Sequence, residues 1–313
     1  MGEQASKIGK KLEGFGETLF SDLGWTELAR DKEIKCNRAS HKKKTHGIDL
    51  LFKYSNPYSN GAQGVIVECK NRQMRSISKC KIEEWVKELI SNLECAQSAQ
   101  ELSDVHLEGA SLNTGLLLIH ANDTFDQEAL YKYLSGMQFA NRRNPINVFI
   151  AGNDKIDEWT SLLSKAKSYG ETFNFLYPSI NGYSKVTQPA ITISLLYSRY
   201  ILAQSAYFTT ESNGLATYEK PHSQSILFFL DEINIDNFKY AWSMFKHFQM
   251  QGTEKYCFVF YPRKTGDVDY VKENFVSTLK NAKNPITVTE ANKISIEFLT
   301  NRTLSPIETG GNE

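Results

Sequence analysis

Three ionisable residues stand where a strand should be apolar: Asp49 between Ile48 and Leu50, and Glu68 and Lys70 within GVIVECKNR. Two carboxylates beside an ammonium group suit phosphodiester hydrolysis. That reaction needs a nucleophilic water, relief of charge on the phosphoryl oxygens and help for the leaving oxygen. A divalent cation held by carboxylates supplies the first two, and a lysine orients the water or stabilises the growing charge. Mg2+ prefers oxygen ligands at about 2.1 Å, with one or two carboxylates and several retained waters. Asp49 and Glu68 are therefore the expected ligands for Mg2+ or Mn2+, with Lys70 beside them. The competing reading is an ordinary ion pair between Glu68 and Lys70. Exposed pairs contribute only about 0–1 kcal/mol, less than burying three charges costs.

The elements that must position these groups run from His46 to Arg72. HGIDLLFKY and GVIVECKNR flank the loop SNPYSNGAQ, the pattern of a β-hairpin with a long turn. Alternation puts Val65, Val67 and Cys69 on one face and Ile66, Glu68 and Lys70 on the other, with Arg72 continuing the second set. Ahead of the hairpin, residues 5–23 place Ile8, Leu12, Phe15, Leu19 and Leu23 at helical spacing, closed by Gly24. Glu13 and Glu17 share one face of that helix, and spacing alone reads both as solvated. Residues 25–36 read as a strand with a polar outer face. Ser78 to Gln100 reads as a long helix, and GLLLIHA (Gly115 to Ala121) as a strand covered on both faces.

Charge is balanced overall, 36 basic against 36 acidic residues, so no global field announces a nucleic-acid partner. Residues 1–100 nevertheless hold 17 Lys/Arg against 13 Asp/Glu, and HKKKTH (His41 to His46) abuts the hairpin. Lys42, Lys43 and Lys44, with Arg72 and Arg75 beyond the second strand, are candidate contacts to backbone phosphates. His46 either caps its strand or touches phosphate.

An Asp opening one strand, Glu-x-Lys on the next and a preceding helix with a Glu resemble the PD-(D/E)XK nuclease superfamily. The motif falls on Asp49 and on Glu68-Cys69-Lys70, with Ile48 where the motif's name has proline. KKLEGFGETLFSDLGW is similar to the corresponding helix of resolvase-like and Mrr-like members, which favours Glu13 over Glu17 as the helix acid. The resemblance covers about residues 8–121. It implies a restriction-endonuclease-like αβββαβ core with a mixed central sheet, and an endonuclease that hydrolyses DNA in restriction or anti-phage defence. It also implies that the backbone carbonyl of Cys69 completes the metal ligands and that Glu13 steadies a metal-bound water or a second ion. DNA is the expected substrate, with RNA left open. The alternative is a non-catalytic or partner-activated subunit of a larger complex.

The expected division is a nuclease-like domain at 1–182 and a second α/β domain at 183–313, the latter serving a companion protein or a second copy. Two segments read βαβαβ: GLLLIHAND onward, then ILFFLDE onward, with Asp126 and Asp236 as helix N-caps and ITVTEA as the last strand. Whether they are a duplication or a shared α/β rhythm stays open. Asn213-Gly214 reads as a turn, and the tail after Arg302 as frayed. Five cysteines (Cys36, Cys69, Cys80, Cys95, Cys257) contain no CxxC and read as reduced thiols, mostly small core residues, of a cytoplasmic protein. No apolar run reaches membrane-spanning length.

Overall fold

The amphipathic pattern at the N-terminus folds as helix α1 (Gly2–Asp22), which Gly24 ends at φ +87°. Trp25 N–H donates to Phe20 O, and the two rings stack at 4.7 Å, so the chain turns sharply into strand β1 (Thr26–Lys35). The hairpin follows as β2 (Thr45–Asn56) and β3 (Gly61–Arg72). Helix α2 (Lys79–Ala96) starts at Ser78, whose side chain accepts from Lys81 N–H, and leads to β4 (Ser111–Ala121). Helix α3 (Gln127–Ser135), capped by Asp126 as expected, and β5 (Asn147–Ala151) complete the first sheet, and α4 (Asn153–Lys167) then carries the chain from the first compact unit into the second. The computed structural model describes residues 2–59, 61–105, 107, 109–138, 145–178, 185–212 and 217–302. The Asn213-Gly214 turn and the tail after Arg302 lie outside them.

The five strands form one sheet in the order β1-β2-β3-β4-β5. The first three are antiparallel, while β3, β4 and β5 run parallel, so the sheet is mixed. Adjacent residues of β4 face opposite ways, and they separate the two helices. A Cβ on Gly16 of α1 would lie 3.4 Å from Leu50, 3.6 Å from Leu118 and 3.9 Å from the Cys69 sulfur. Leu117 and Ile119 instead join Leu51, Ile66 and the α2 residues Trp85, Val86 and Leu89 in one core. Helix α2 sits so close to β4 that a Cβ on Gly115 would lie 2.8 Å from Leu89 Cγ. Helices α1 and α2 thus cover opposite faces, which explains why Leu116 to Ile119 are all fully buried.

The chain divides into two compact units, Met1–Asp157 and Glu158–Arg302. The boundary therefore falls ahead of the expected 182/183. The reason is TFNFLYP: its strand β6 (Asn174–Pro178) joins a second sheet, pairing antiparallel with β7 (Lys185–Gln188) and with β8 (Tyr200–Ser212). A short helix α5 (Ile193–Leu196) precedes β8, which pairs along its length with β9 (Thr217–Phe229). Helix α6 (Ile235–His247), β10 (Lys255–Phe260), α7 (Asp267–Lys280), α8 (Val288–Lys293) and β11 (Ile294–Phe298) follow. The order is β11-β10-β9-β8-β6-β7, with β9, β10 and β11 parallel.

Two expectations for this half are corrected. The N-cap of α6 is Asn234, which accepts from Asn237 N–H, and Asp236 lies in the first turn. ITVTEA is not a strand. Thr287 and Glu290 form a reciprocal capping box that starts α8, and ISIEF becomes the strand instead. The two βαβαβ segments also differ: the later one keeps its three strands parallel within one mixed sheet, whereas the earlier one leaves its sheet at β6. Among the described residues no helix is long and apolar enough to cross a membrane.

Within the second unit, Glu297 on β11 accepts from the Tyr169 hydroxyl at 2.9 Å and pairs with Lys165 at 2.7 Å and Lys255 at 3.6 Å. Burial alone would raise its pKa, but Lys165, Cys257 and Tyr169 outweigh burial and bring it to about 2. A carboxyl lowered in the folded state stabilises above its unfolded value of 4.5, and that contribution is lost as pH falls towards 2. Glu297→Gln is expected to cost the second unit about 1–3 kcal/mol near neutral pH, with the gap from wild type closing at about pH 2. Urea unfolding across that range measures it. An unchanged gap at both ends would show that lost packing, not charge, was responsible.

Candidate metal centre

The pairing of β2 with β3 runs from Asn56↔Gly61 to Leu50↔Val67. At its end a side chain takes over from the backbone: Cys69 N–H donates to Asp49 Oδ2 at 2.8 Å. On the other edge β3 is held by β4, with Glu68↔Leu117 and Lys70↔Ile119 in register. Two strands are therefore splayed by an aspartate at the point where Glu68 and Lys70 emerge, and the third fixes their backbone. Glu68 is only 6% exposed, and Lys70 Nζ donates to its Oε1. Its second oxygen, Oε2, is buried with no hydrogen-bond partner among the described residues.

Electrostatics show a shortage of positive charge. Burial, then the charge of Asp49, push Glu68 up to about 7 even with Lys70 against it. Burial also raises Asp49, against the opposing pull of the Cys69 N–H and Lys70. Glu13 rises to about 7 through burial and the charges of Asp49 and Asp31. Burial would lower Lys70, but Glu68 and Asp49 hold its ammonium protonated. Three acids that resist ionising together, one with an orphaned buried oxygen, fit a divalent cation bound by oxygen. Asp49 and Glu68 are the groups that would hold it, and the Glu13 carboxyl belongs to the same electrostatic cluster.

Glu13 and Glu17, equivalent by spacing, part company here. Arg30 on β1 engages Glu17 and Glu27, so Glu17 is neutralised. Asp31 was not singled out by sequence. It takes a left-handed backbone (φ +46°) in β1, and its charge bears on both Glu13 and Asp49. A polar RDKE run gives no sign of that twist.

Lys42, Lys43 and Lys44 are exposed on the turn between β1 and β2; Arg72, the last residue of β3, and Arg75 just beyond it are exposed too. Lys42 closes a 3-10 turn at φ +53°, and Lys43 pairs with Glu88 of α2 at 2.7 Å. His46 departs from the expected phosphate contact. It is 3% exposed, and burial followed by the nearby His41 and Lys43 charges lowers its pKa, so it is a neutral interior group.

A helix, a three-strand antiparallel meander, a second helix and a parallel strand, with Asp49, Glu68 and Lys70 where the strands splay, define a PD-(D/E)XK nuclease-superfamily domain of restriction-endonuclease-like fold. Residues 1–155 match the family described as GAPS4 protein PD-(D/E)XK nuclease domain. The match ends within two residues of the boundary between the units, Asp157. No curated protein matches the chain.

Proposed function

We propose that this protein is a metal-dependent endonuclease that hydrolyses phosphodiester bonds in DNA, acting in restriction or anti-phage defence. The observation that carries the reading is the buried, unpartnered Oε2 of Glu68 beside Asp49 and Lys70. A bound Mg2+ or Mn2+ supplies Lewis acidity towards the scissile phosphate and a more acidic water. Asp49 and Glu68 are the proposed ligands, together with the Cys69 carbonyl. The Cys69 N–H fixes the Asp49 carboxylate. Lys70 keeps its proton and so places a positive charge where the phosphoryl oxygens gain negative charge. Glu13, high enough in pKa to exchange a proton near neutrality, is proposed to hold the attacking water. Lys42, Lys43, Lys44, Arg72 and Arg75 are the proposed contacts to the nucleic-acid backbone, binding without regard to sequence.

Supercoiled and linear DNA incubated with Mg2+ or Mn2+ test this. Wild type is expected to cut, and Asp49→Ala and Lys70→Ala to lose cutting while staying folded. Equal cleavage by all three ends the reading. The second unit, with its own sheet and aromatic core, supports a second reading: a nuclease silent until a partner or a trigger engages it. Metal binding at Asp49 and Glu68 without cutting by the isolated protein favours that version.

A further inference from the structure

Apart from the carboxylates, the nuclease unit gathers two cysteines and two histidines from four places in the chain. Cys36 follows β1, His41 ends the 3-10 turn, His46 opens β2, and Cys95 lies in the last turn of α2. One ligand atom from each lies within 4.8 Å of all the others. We propose that these four side chains form a structural zinc site, separate from the Asp49 and Glu68 centre.

The argument is geometric. Tetrahedral zinc takes thiolates at about 2.3 Å and imidazoles at about 2.0–2.1 Å, giving edges of about 3.8 Å for S···S, about 3.3 Å for N···N and about 3.6 Å for S···N. Cys36 Sγ and Cys95 Sγ are 3.8 Å apart, and His41 Nδ1 and His46 Nε2 are 3.3 Å apart. His41 Nδ1 lies 3.6 Å from Cys36 Sγ and 3.4 Å from Cys95 Sγ. Four of the six edges thus match a zinc tetrahedron to within about 0.2 Å.

Hydrogen bonding does not account for the same distances. His41 Nδ1 has three close neighbours, and an imidazole nitrogen has either one proton or one lone pair to offer. Its other nitrogen, Nε2, is 2.8 Å from Glu94 Oε2, which Arg38 approaches at 3.7 Å. A carboxylate behind a ligating histidine fixes the tautomer that leaves the first nitrogen free for metal. The two sulfurs are not a disulfide, since bonded sulfurs lie at about 2.05 Å. Two thiolates and two neutral imidazoles select zinc over Mg2+ and leave the occupied site without net charge. On binding, each thiol releases its proton to solvent.

The site ties together the end of β1, the start of β2 and the end of α2. Lys42, Lys43 and Lys44 lie between two of its ligands, His41 and His46, and Asp49 comes three residues after His46. The metal would therefore set both the basic turn and the strand carrying the acid.

The test is metal content of the full chain, loaded with Zn2+ alone and then desalted. Wild type and Asp49→Ala are each expected to retain about one zinc per chain. Cys95→Ser and His46→Ala are expected to lose it. Replacement by Co2+ should give the visible bands of a tetrahedral two-sulfur, two-nitrogen site. Retention by wild type of under about a tenth of an equivalent overturns the proposal. So does a Cys36–Cys95 disulfide seen by mass, or zinc retention lost in Asp49→Ala but kept in Cys95→Ser. Metal content and the Co2+ spectrum of wild type together decide the matter even if a variant fails to fold, since the Asp49 centre has no sulfur ligand, and none of these outcomes depends on DNA cleavage.

Discussion

Replacing Glu68 by glutamine is expected to stabilise the protein without added Mg2+ while cutting metal-dependent cleavage by about 10³-fold or more. The two effects share a cause. Glu68 is buried with one oxygen unpartnered, and burial and Asp49 raise it from 4.5 to about 7. A carboxyl raised by folding favours the folded state fully below its unfolded value, and that advantage is lost as pH rises through the folded value. Between pH 4.5 and about 7 the wild type therefore takes on a penalty that glutamine lacks. Burial and Asp49 outweigh the attraction of Lys70, so the sign holds with the ammonium in place. The gain expected above neutrality is about 1–3 kcal/mol. At about 2–4 °C per kcal/mol for a unit of this size, it appears as a rise of a few degrees in the midpoint.

Divalent metal should reverse the ranking. At a hundredfold excess over its Kd, Mg2+ adds about 2.7 kcal/mol to a chain that binds it and nothing to one that does not. Melting curves of wild type and Glu68→Gln, with and without Mg2+, on either side of pH 7 give four comparisons. A variant less stable than wild type above neutrality without Mg2+ would show that the Glu68–Lys70 pair is structural. Unchanged cleavage would remove Glu68 from the chemistry.

The hairpin and both flanking helices were legible from their periods, about two in the second hairpin strand and about 3.6 in the helices, and β4 from its unbroken apolar run. What stayed hidden depends on contacts across the chain. Glu13 and Glu17 lie a turn apart on one helix face, and what separates them comes from elsewhere in the chain: Arg30 of β1 pairs with Glu17, while Asp49 and Asp31 bear on Glu13. Asp31 comes near Glu13 and Asp49 through a left-handed residue in a strand whose register with β2 also shifts between Glu27 and Ala29. Alternation has no symbol for either irregularity. TFNFLYP reads as the same apolar strand in either sheet, so the domain boundary was placed too late. The cysteines and histidines were missed for a related reason. Cys36, His41 and His46 recur every five residues, but Cys95 comes from α2, and a search for paired cysteines in CxxC form does not register such a set.

Stripping zinc from Cys36, His41, His46 and Cys95 is expected to lower the thermal midpoint of the nuclease unit, and added Mg2+ should not restore it. Structural zinc contributes about 10–16 kcal/mol in peptides whose whole fold depends on the metal. Here Leu51, Ile66, Leu117 and Leu89 already form a buried core, so only part of that energy falls on the folding equilibrium. A loss of about 3–5 kcal/mol is expected, or roughly 6–20 °C. Hydrogen exchange locates it: protection should fall in residues 36–46 and around Cys95, while β10 of the second unit keeps its own. Lys42, Lys43 and Lys44 would then lose a fixed position, so DNA binding should weaken with a shallower salt dependence as fewer phosphates are held at once. Mg2+ cannot stand in, because thiolate and imidazole ligands favour zinc and Mg2+ needs oxygen. If zinc removal leaves both the midpoint and exchange at residues 36–46 unchanged, the four side chains meet without a metal's help and the basic turn is held by other contacts, such as Lys43 with Glu88.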